Sequence, residues 1–360
     1  MIKTDQEYIQ RCFELALKAK GEVSPNPLVG SVIVEEGKII SEGYHKKSGT
    51  DHAELDAIKN AKASIEGATL YCNLEPCCHT NKKTAPCAQR IIKEKIKKVI
   101  ISNLDPNPQV AGQGVKLLES AGIEVTHGVL KEEGEKLNEI FFHHILKKTP
   151  FIHLKIAQTL DGFTATESGE SKWITGSDSR KNVHMQREFY DGILIGANTA
   201  RLDNPTLTVR IGDDEKPIKR FILSTTGELP DSLNLFNDKF KDYTYLVLPE
   251  GTKTNINVNT IYSPATHTGE IDLNILCSTL YKDHQVTSIF IEGGANIHSK
   301  FIKEKLYNRV SFYIAPKIFG EGNKSISNIG VSKISEAIEL HKTTHKQFGE
   351  DSFISGLRQK

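Results

Sequence analysis

His52-Ala53-Glu54, then Pro76-Cys77-Cys78-His79, then Pro86-Cys87 put one histidine and two separated cysteines in order along the chain. His52 and Glu54 fall where a helix is expected to start, and Cys77 just past a strand end. Cys87 opens a lysine-rich, apolar-periodic stretch through Ile96, the mark of a helix's first turn. A helix start, a strand end and a second helix start can converge at one edge of a sheet, which suits an α/β layer structure whose connections carry the site.

These residue types suit a catalytic metal. Two thiolates and one neutral imidazole hold Zn²⁺ on three ligands and leave a fourth position open, whereas structural zinc is usually closed by four. Zinc lowers the pKa of bound water to about 7. Glu54 lies too near His52 to co-ligate well and is better cast as a proton shuttle. Dipole charge at the helix start favours thiolate at Cys87. H-x-E followed by P-C-x-x-C marks zinc-dependent nucleobase deaminases, but here nine residues separate Cys77 from Cys87. Cys78 and His79 are rival ligands; Cys77 is preferred because it follows the proline. Cys12, Cys72 and Cys277 read as small apolar fillers.

Around this centre the chain divides near Lys147-Lys148-Thr149-Pro150, giving units 1–147 and 148–360. Upstream, a helix over 5–20 precedes strands Leu28–Glu35 and Lys38–Tyr44. A helix from His52 to about Lys62 and strand Thr69–Asn73 follow. Strands Lys98–Ser102 and Glu124–His127 then alternate with helices Gln113–Ser120 and Lys131–Leu146, which predicts a mixed sheet between helices. Downstream, strands are expected at Phe151–Ala157, Gly192–Gly196, Arg220–Leu223, Tyr243–Val247, Ser288–Ile291 and Val310–Ala315, with a helix near Ser177–Phe189. This is a second α/β unit with its own sheet; residues from about 212 to 270 are the least legible. Glu292-Gly293-Gly294-Ala295-Asn296 reads as a strand-to-helix turn able to face a phosphate, although it is not G-x-G-x-x-G and an ordinary tight turn is the plainer reading. The lone tryptophan, in Ser171-Lys172-Trp173-Ile174-Thr175, suits either a loop over a planar ligand or a buried anchor.

Forty-six basic against forty-five acidic residues leave +1, so no global field recruits nucleic acid or an anionic membrane. Six cysteines, two of them assigned to metal, fit a reducing cytoplasm better than a disulfide scaffold. Met1 to Lys20 carries Asp5, Glu7 and Glu14 and lacks a signal-peptide core. No apolar run approaches a membrane span.

Ser24-Pro25-Asn26-Pro27-Leu28-Val29-Gly30, Gly43-Tyr44-His45, His52-Ala53-Glu54, Leu74-Glu75-Pro76-Cys77 and Asp105-Pro106-Asn107-Pro108 occur in order. They are followed by Thr159-Leu160-Asp161-Gly162, Ser171-Lys172-Trp173-Ile174-Thr175, Asp203-Asn204-Pro205 and Glu292-Gly293-Gly294. Together, over nearly the whole chain, they resemble the bifunctional deaminase–reductase family of bacterial riboflavin biosynthesis. The resemblance implies an N-terminal cytidine-deaminase-like three-layer α/β/α domain and a C-terminal dihydrofolate-reductase-like α/β domain. It implies Zn²⁺ and NADPH as cofactors and small-molecule phosphoribosylaminopyrimidine substrates, deaminated first and then reduced from ribosyl to ribityl.

By the same resemblance His52, Cys77 and Cys87 hold zinc, Glu54 moves protons, and Asn26 and His45 line the pyrimidine pocket; a turn asparagine and an exposed histidine are the plainer readings. Ala157, Trp173, Thr199, Asp203 and Ser224 are implied beside NADPH. Gly294, Ala295, Asn296, Ile297, His298, Ser299 and Lys300 are implied around its phosphates. Ser171, Arg187, Leu207, Arg210 and Glu292 are implied around the substrate, where arginine forks suit a phosphate; surface solubility is the other use of those arginines. The cysteine loop departs from the family pattern by one added residue and a missing glycine, leaving open whether Lys82 or Lys83 faces substrate. A homo-oligomer is expected, with neither nucleic acid nor membrane as partner. Three other classes share parts of the pattern. A nucleic-acid deaminase would want a basic face, a deaminase with an inert second domain would not oxidise NADPH, and a structural-zinc module would have no activity.

Overall fold

A computed structural model describes residues 3–78, 86–108 and 110–359, and the chain separates into two compact units at Lys148/Thr149. In the first unit helix α1 (Asp5–Ala16) leads to strands β1 (Gly30–Glu35) and β2 (Lys38–Tyr44). Helix α2 (Ala53–Asn60), strand β3 (Thr69–Leu74), helix α3 (Cys87–Lys93) and strand β4 (Lys98–Asn103) follow. Helix α4 (Gln113–Ser120), strand β5 (Glu124–His127) and helices α5 (Lys131–Leu137) and α6 (Glu139–Lys147) complete it.

The strands form one mixed sheet in the order β2-β1-β3-β4-β5, with β1 antiparallel to both neighbours and β3, β4 and β5 parallel. Alternation decides the layers. Val32, Val34, Tyr71 and Ile100 point to α1, packing on Tyr8, Ile9, Cys12 and Phe13. Ile33, Leu70, Cys72, Val99 and Ile101 point the other way, onto Ala57, Ile58, Ala88, Ile91 and Leu118 of α2, α3 and α4. A sheet buried on both faces needs apolar residues at every position, which is what these strands carry.

The helix expected over Lys131–Leu146 is two helices broken at Asn138. Asn138 leaves helical geometry (φ −109°, ψ 26°) because its buried amide clamps both the N–H and the carbonyl of Leu28, at 2.8 and 2.9 Å. Such side-chain to backbone bonding competes with the helix. The helix expected over 5–20 ends its α-form at Ala16 and closes with a 3-10 turn at Leu17–Ala19, before Gly21 in the left-handed region.

The second unit begins with β6 (Phe151–Thr159), β7 (Phe163–Ala165), α7 (Ser177–Arg187), β8 (Gly192–Gly196) and α8 (Ala197–Asp203). It continues through β9 (Val209–Ile211), β10 (Asp214–Lys216), β11 (Lys219–Leu223), α9 (Asn234–Asn237), β12 (Thr244–Pro249) and β13 (Asn259–Ser263). It ends with α10 (Leu273–Lys282), β14 (Ser288–Ile291), α11 (Ala295–Lys303), β15 (Arg309–Ala315), β16 (Asn323–Lys324), β17 (Leu340–Phe348) and β18 (Asp351–Arg358). Its main sheet runs β13-β12-β11-β8-β14-β6-β15-β18-β17, parallel through β15 and then antiparallel. Ile152, Leu154, Leu194, Phe221, Val247 and Ile289 pack with Leu276, Leu280 and Phe301 of α10 and α11 in its core. No helix among the described residues is long and apolar enough to cross a membrane.

Buried imidazoles make this unit acid-sensitive. His153 bridges the Tyr190 hydroxyl (2.5 Å) and Ser311 Oγ (2.7 Å) between strands, and burial holds it well below the ordinary histidine range. Burial likewise brings His298 down to about 4. Unfolded histidines take up protons below about 6.5, while His153 stays neutral well below that range and His298 until about 4. The unfolded state therefore binds more protons across that window, and stability is full above its top and falls as pH drops through it. The denaturation midpoint of the second unit, followed by its single tryptophan Trp173, is expected to fall between pH 7 and pH 5. A midpoint that is flat or rises on acidification would contradict this.

Candidate functional site

In the first unit β2 and β3 run the same way, so both release the chain at one sheet edge. His52 is the residue immediately before α2, in extended conformation (φ −71°, ψ 161°), and Cys87 is the first residue of α3, after Pro86. Cys77 lies three residues past Leu74, the end of β3, and its carbonyl is tied to the Ala88 N–H at 3.1 Å. His52 Nδ1 is 3.5 Å from Cys77 Sγ and 3.4 Å from Cys87 Sγ, and the three ligand atoms all lie within 4.8 Å of one another. Those separations match the ~3.5 Å edge of a tetrahedron with zinc–sulfur and zinc–nitrogen bonds of ~2.3 and ~2.0 Å. The donor set therefore fits Zn²⁺. The hydrogen bond from Cys87, with His52 beside it, holds the Cys77 thiol well below its ordinary range, and the same bond together with burial pushes Cys87 up.

Cys78 is not part of this group. It is half-buried and packs against the apolar core. His79, Lys82 and Lys83 lie outside the described residues.

Glu54 sits in the first turn of α2 and is 3% exposed. Burial pushes its carboxyl up to about 7, with His52 opposing. A carboxyl with that pKa both takes and gives protons near neutrality. His45 is buried rather than exposed, and its ring lies 5.6 Å from that of His52. Its Nδ1 donates to the Asp51 carbonyl (2.9 Å), which leaves Nε2 to accept from Asn26 Nδ2 (3.2 Å). The fold thus brings Asn26 and His45 beside the metal-ligand group.

Glu75 organises this edge, a role the sequence reading did not see although Leu74-Glu75-Pro76-Cys77 contains it. Its buried carboxylate accepts the N–H groups of Asp105 (3.0 Å), Gly112 (2.9 Å) and Val115 (3.2 Å), lashing the turn that carries Cys77 to the loop after β4. Gly114 permits the contact, because a Cβ there would stand 2.3 Å from the Pro76 carbonyl oxygen.

In the second unit a cavity of about 600 Å³ opens at the carboxyl ends of β8, β11 and β14. Ser171, Thr199, Asp203, Ser224, Glu292, Gly294, Ala295, Asn296, Ile297 and Lys300 line it. The N-terminus of α11 faces this space from Gly294, which has φ +82° and gives no side-chain cap. A Cβ on Gly293 would crowd Ile195 and Thr199 at 3.0 Å, so the turn is backbone-thin. An open helix N-terminus on a glycine turn is a phosphate cradle, and the cavity has the size of a cofactor site; the residues fit NADPH. Lys324, Asn198, Thr225 and Thr226 also line it and carry no motif that sequence reading could use.

Ala157, Trp173, Arg187, Leu207, Arg210, His298 and Ser299 are not among the lining residues. His298 is 4% exposed, so only its backbone can face a ligand. Trp173, 63% exposed, is neither a buried anchor nor in the cavity; the Arg180 guanidinium lies 4.4 Å over its ring. Arg187 differs from the free fork expected of a phosphate ligand. It grips both oxygens of Glu292 (2.5 and 3.0 Å) and the Thr208 carbonyl (2.6 Å). Burial drives Glu292 up, but Arg187 and Lys155, whose Nζ is 3.9 Å away, hold it below the usual carboxylate range.

A zinc-binding deaminase domain followed by a reductase domain is the class these two sites define. Residues 2–103 match the cytidine and deoxycytidylate deaminase zinc-binding region, and residues 150–354 match the RibD C-terminal domain. The riboflavin biosynthesis protein RibD of Aquifex aeolicus is 41% identical over 350 residues, 97% of each chain. Among solved structures, a deaminase/reductase from Thermotoga maritima is 35% identical over 99% of each chain with a TM-score of 0.86. RibD of Acinetobacter baumannii is 33% identical over 100% of each, also at 0.86. The chain belongs to the RibD family of riboflavin biosynthesis enzymes.

Glu75→Ala leaves one buried and two half-buried N–H groups without an acceptor and is expected to cost the first unit ~2 kcal/mol. The variant should also retain less zinc after mild chelation. Unchanged unfolding free energy and zinc content in Glu75→Ala would show that the turn stands without it.

Proposed function

We propose that the chain catalyses two consecutive steps of riboflavin synthesis. Unit 1–147 hydrolytically deaminates 2,5-diamino-6-(5-phosphoribosylamino)pyrimidin-4(3H)-one, and unit 148–360 reduces the ribosyl group of 5-amino-6-(5-phosphoribosylamino)uracil to ribityl with NADPH. The observation that carries this reading is the meeting of His52, Cys77 and Cys87 beside a buried Glu54.

His52, Cys77 and Cys87 hold the metal. Zn²⁺, when bound, supplies the Lewis acidity that makes water a nucleophile at neutral pH. Glu54 takes one proton from that water and delivers it to the ring nitrogen, then carries the second, from the added hydroxyl, to the amine that leaves as ammonia, which its pKa of about 7 suits. Asn26 and His45 present their polar edges to the pyrimidine.

NADPH, when bound, would supply the hydride for C1′ of the ring-opened ribosylamine, an imine whose nitrogen takes its proton from solvent. Thr199, Asp203 and Ser224 line the cofactor's side of the cavity, and the segment Gly294–Lys300 receives its phosphates through backbone N–H groups. Ala157 and Trp173, which do not line the cavity, are assigned to the cofactor from the family resemblance alone. Ser171, bonded to Asp203 at 2.9 Å, and Glu292 face the substrate, with Leu207 and Arg210 on its outer side. Arg187 acts by holding Glu292 ionised and in place.

A cytoplasmic home is supported by six cysteines that form no disulfide. The near-zero net charge supports small molecules, not nucleic acid, as ligands. Self-association is supported by exposed Val331, Ile334 and Ile338 near the free edge strand β17; light scattering that returns a monomer would remove it.

Cys87→Ser is expected to lose both zinc and ammonia release while still oxidising NADPH on the deaminated intermediate. If chelation stops reduction as thoroughly as deamination, the assignment of activities to units is wrong. Glu54→Gln keeps shape and removes the base, so zinc should stay while deamination falls at least ~10²-fold. A nearly active Glu54→Gln protein would rule Glu54 out as the shuttle.

A further inference from the structure

The loop that carries Asn26, residues 23–28, has little backbone with which to hold itself. Pro25 and Pro27 have no N–H, so over residues 25–28 only Asn26 and Leu28 can donate. The Asn26 N–H closes a turn on the Val23 carbonyl at 2.8 Å, and the Leu28 N–H goes to the side chain of Asn138 at 2.8 Å. Where the chain cannot tie its own groups, side chains from elsewhere have to do it.

They fasten this loop on both sides of Asn26. On the far side Asn138 takes the N–H and the carbonyl of Leu28, and the Asn73 amide on β3 adds a second donor to that carbonyl at 2.9 Å. On the near side His144 Nε2 lies 3.0 Å from the Pro25 carbonyl oxygen. A carbonyl only accepts, so Nε2 carries the hydrogen. The Phe141 ring meets the His144 ring edge-on at 5.5 Å and limits its rotation. Asn138 caps the start of α6 and His144 sits within it; both are buried, at 4% and 5% exposed. Neither belongs to the metal-ligand group. Helix α6 also falls between residue 103, where the match to the deaminase zinc-binding region ends, and residue 150, where the match to the reductase domain begins.

We propose that α6 is the substrate-positioning brace of the deaminase: His144 and Asn138 pin the backbone on either side of Asn26 and so aim its amide at His45 and the pyrimidine. Both are positioning residues that act through Asn26 and touch no substrate. This rests on the reading of Asn26 as a pyrimidine contact. A loop released at one end turns about the other, and a displacement of about 1 Å is enough to spoil an aligned hydrogen bond. The loss falls on pyrimidine binding and not on the metal, because His52, Cys77, Cys87 and Glu54 are carried by α2, the turn after β3 and α3.

The test uses the full-length, zinc-loaded enzyme and the kinetics of ammonia release. His144→Leu removes the donor, and His144→Gln returns an N–H near the Nε2 position. His144→Leu is expected to raise the deaminase KM about 10-fold with kcat, zinc content and reductase activity unchanged, and His144→Gln to recover most of that loss. Asn26→Ala is measured alone and combined with His144→Leu. If His144 acts through Asn26, His144→Leu raises KM no further in the Asn26→Ala background, whereas a helix that only stabilises the fold gives additive effects. Additive effects overturn the brace. An unchanged KM in His144→Leu beside a raised KM in Asn26→Ala also overturns it and leaves Asn26 at the pyrimidine. An unchanged KM in Asn26→Ala removes the pyrimidine reading of Asn26, and the brace with it. Should His144→Leu lose zinc or fail to fold, the same cycle is run with Asn138→Asp, which keeps the acceptor for the Leu28 N–H and loses the donor to its carbonyl, with the same outcomes deciding.

Discussion

Strands that run parallel release their chains along a common edge, and both sites of this protein are built from that constraint. In the first unit the ends of β2 and β3 lead to His52 and Cys77, and the start of α3 returns Cys87 to the same place. In the second, the ends of β8, β11 and β14 deliver Thr199, Ser224 and Glu292 to one cavity. Helix N-termini follow these edges, so backbone N–H groups and their partial positive charge collect where thiolates and phosphates are needed.

Three buried carboxylates show how one chemical group is given different duties. Glu75 is surrounded by backbone donors and serves as a tie between loops. Glu292 is clamped by Arg187 and Lys155 and stays ionised despite burial. Glu54 has no such clamp; burial dominates and leaves it near 7, between the two protonation states. The difference lies in the partners and not in depth, since all three are buried (Glu75 5%, Glu54 3% exposed).

Legibility followed physics element by element. Gly192–Gly196 and Lys98–Asn103 stood out because strands covered on both faces are continuously apolar. The closing hairpin was not read: β17, Leu340–Phe348, is polar and mostly exposed at a sheet edge, and shows no alternation. The helix break at Asn138 was equally hidden, since its cause, Leu28, lies far away in sequence. At the candidate metal site residue type and order sufficed to single out His52, Cys77 and Cys87, which the fold brings together, and Glu54, which it buries. Thr225, Asn198 and Lys324 in the cavity had no local signature.

By itself, then, the sequence determined the two α/β units, the metal-ligating residue types and their order, because those follow from periodicity and from the few side chains that can bind zinc. Only the tertiary structure decided that Arg187 is spent on Glu292, that His298 turns inward, that Glu75 ties the cysteine turn, and that His144 holds the Pro25 carbonyl. Each of these depends on a partner remote in the chain. A hydrogen bond or ion pair is set by distance and direction, which residue identity does not carry.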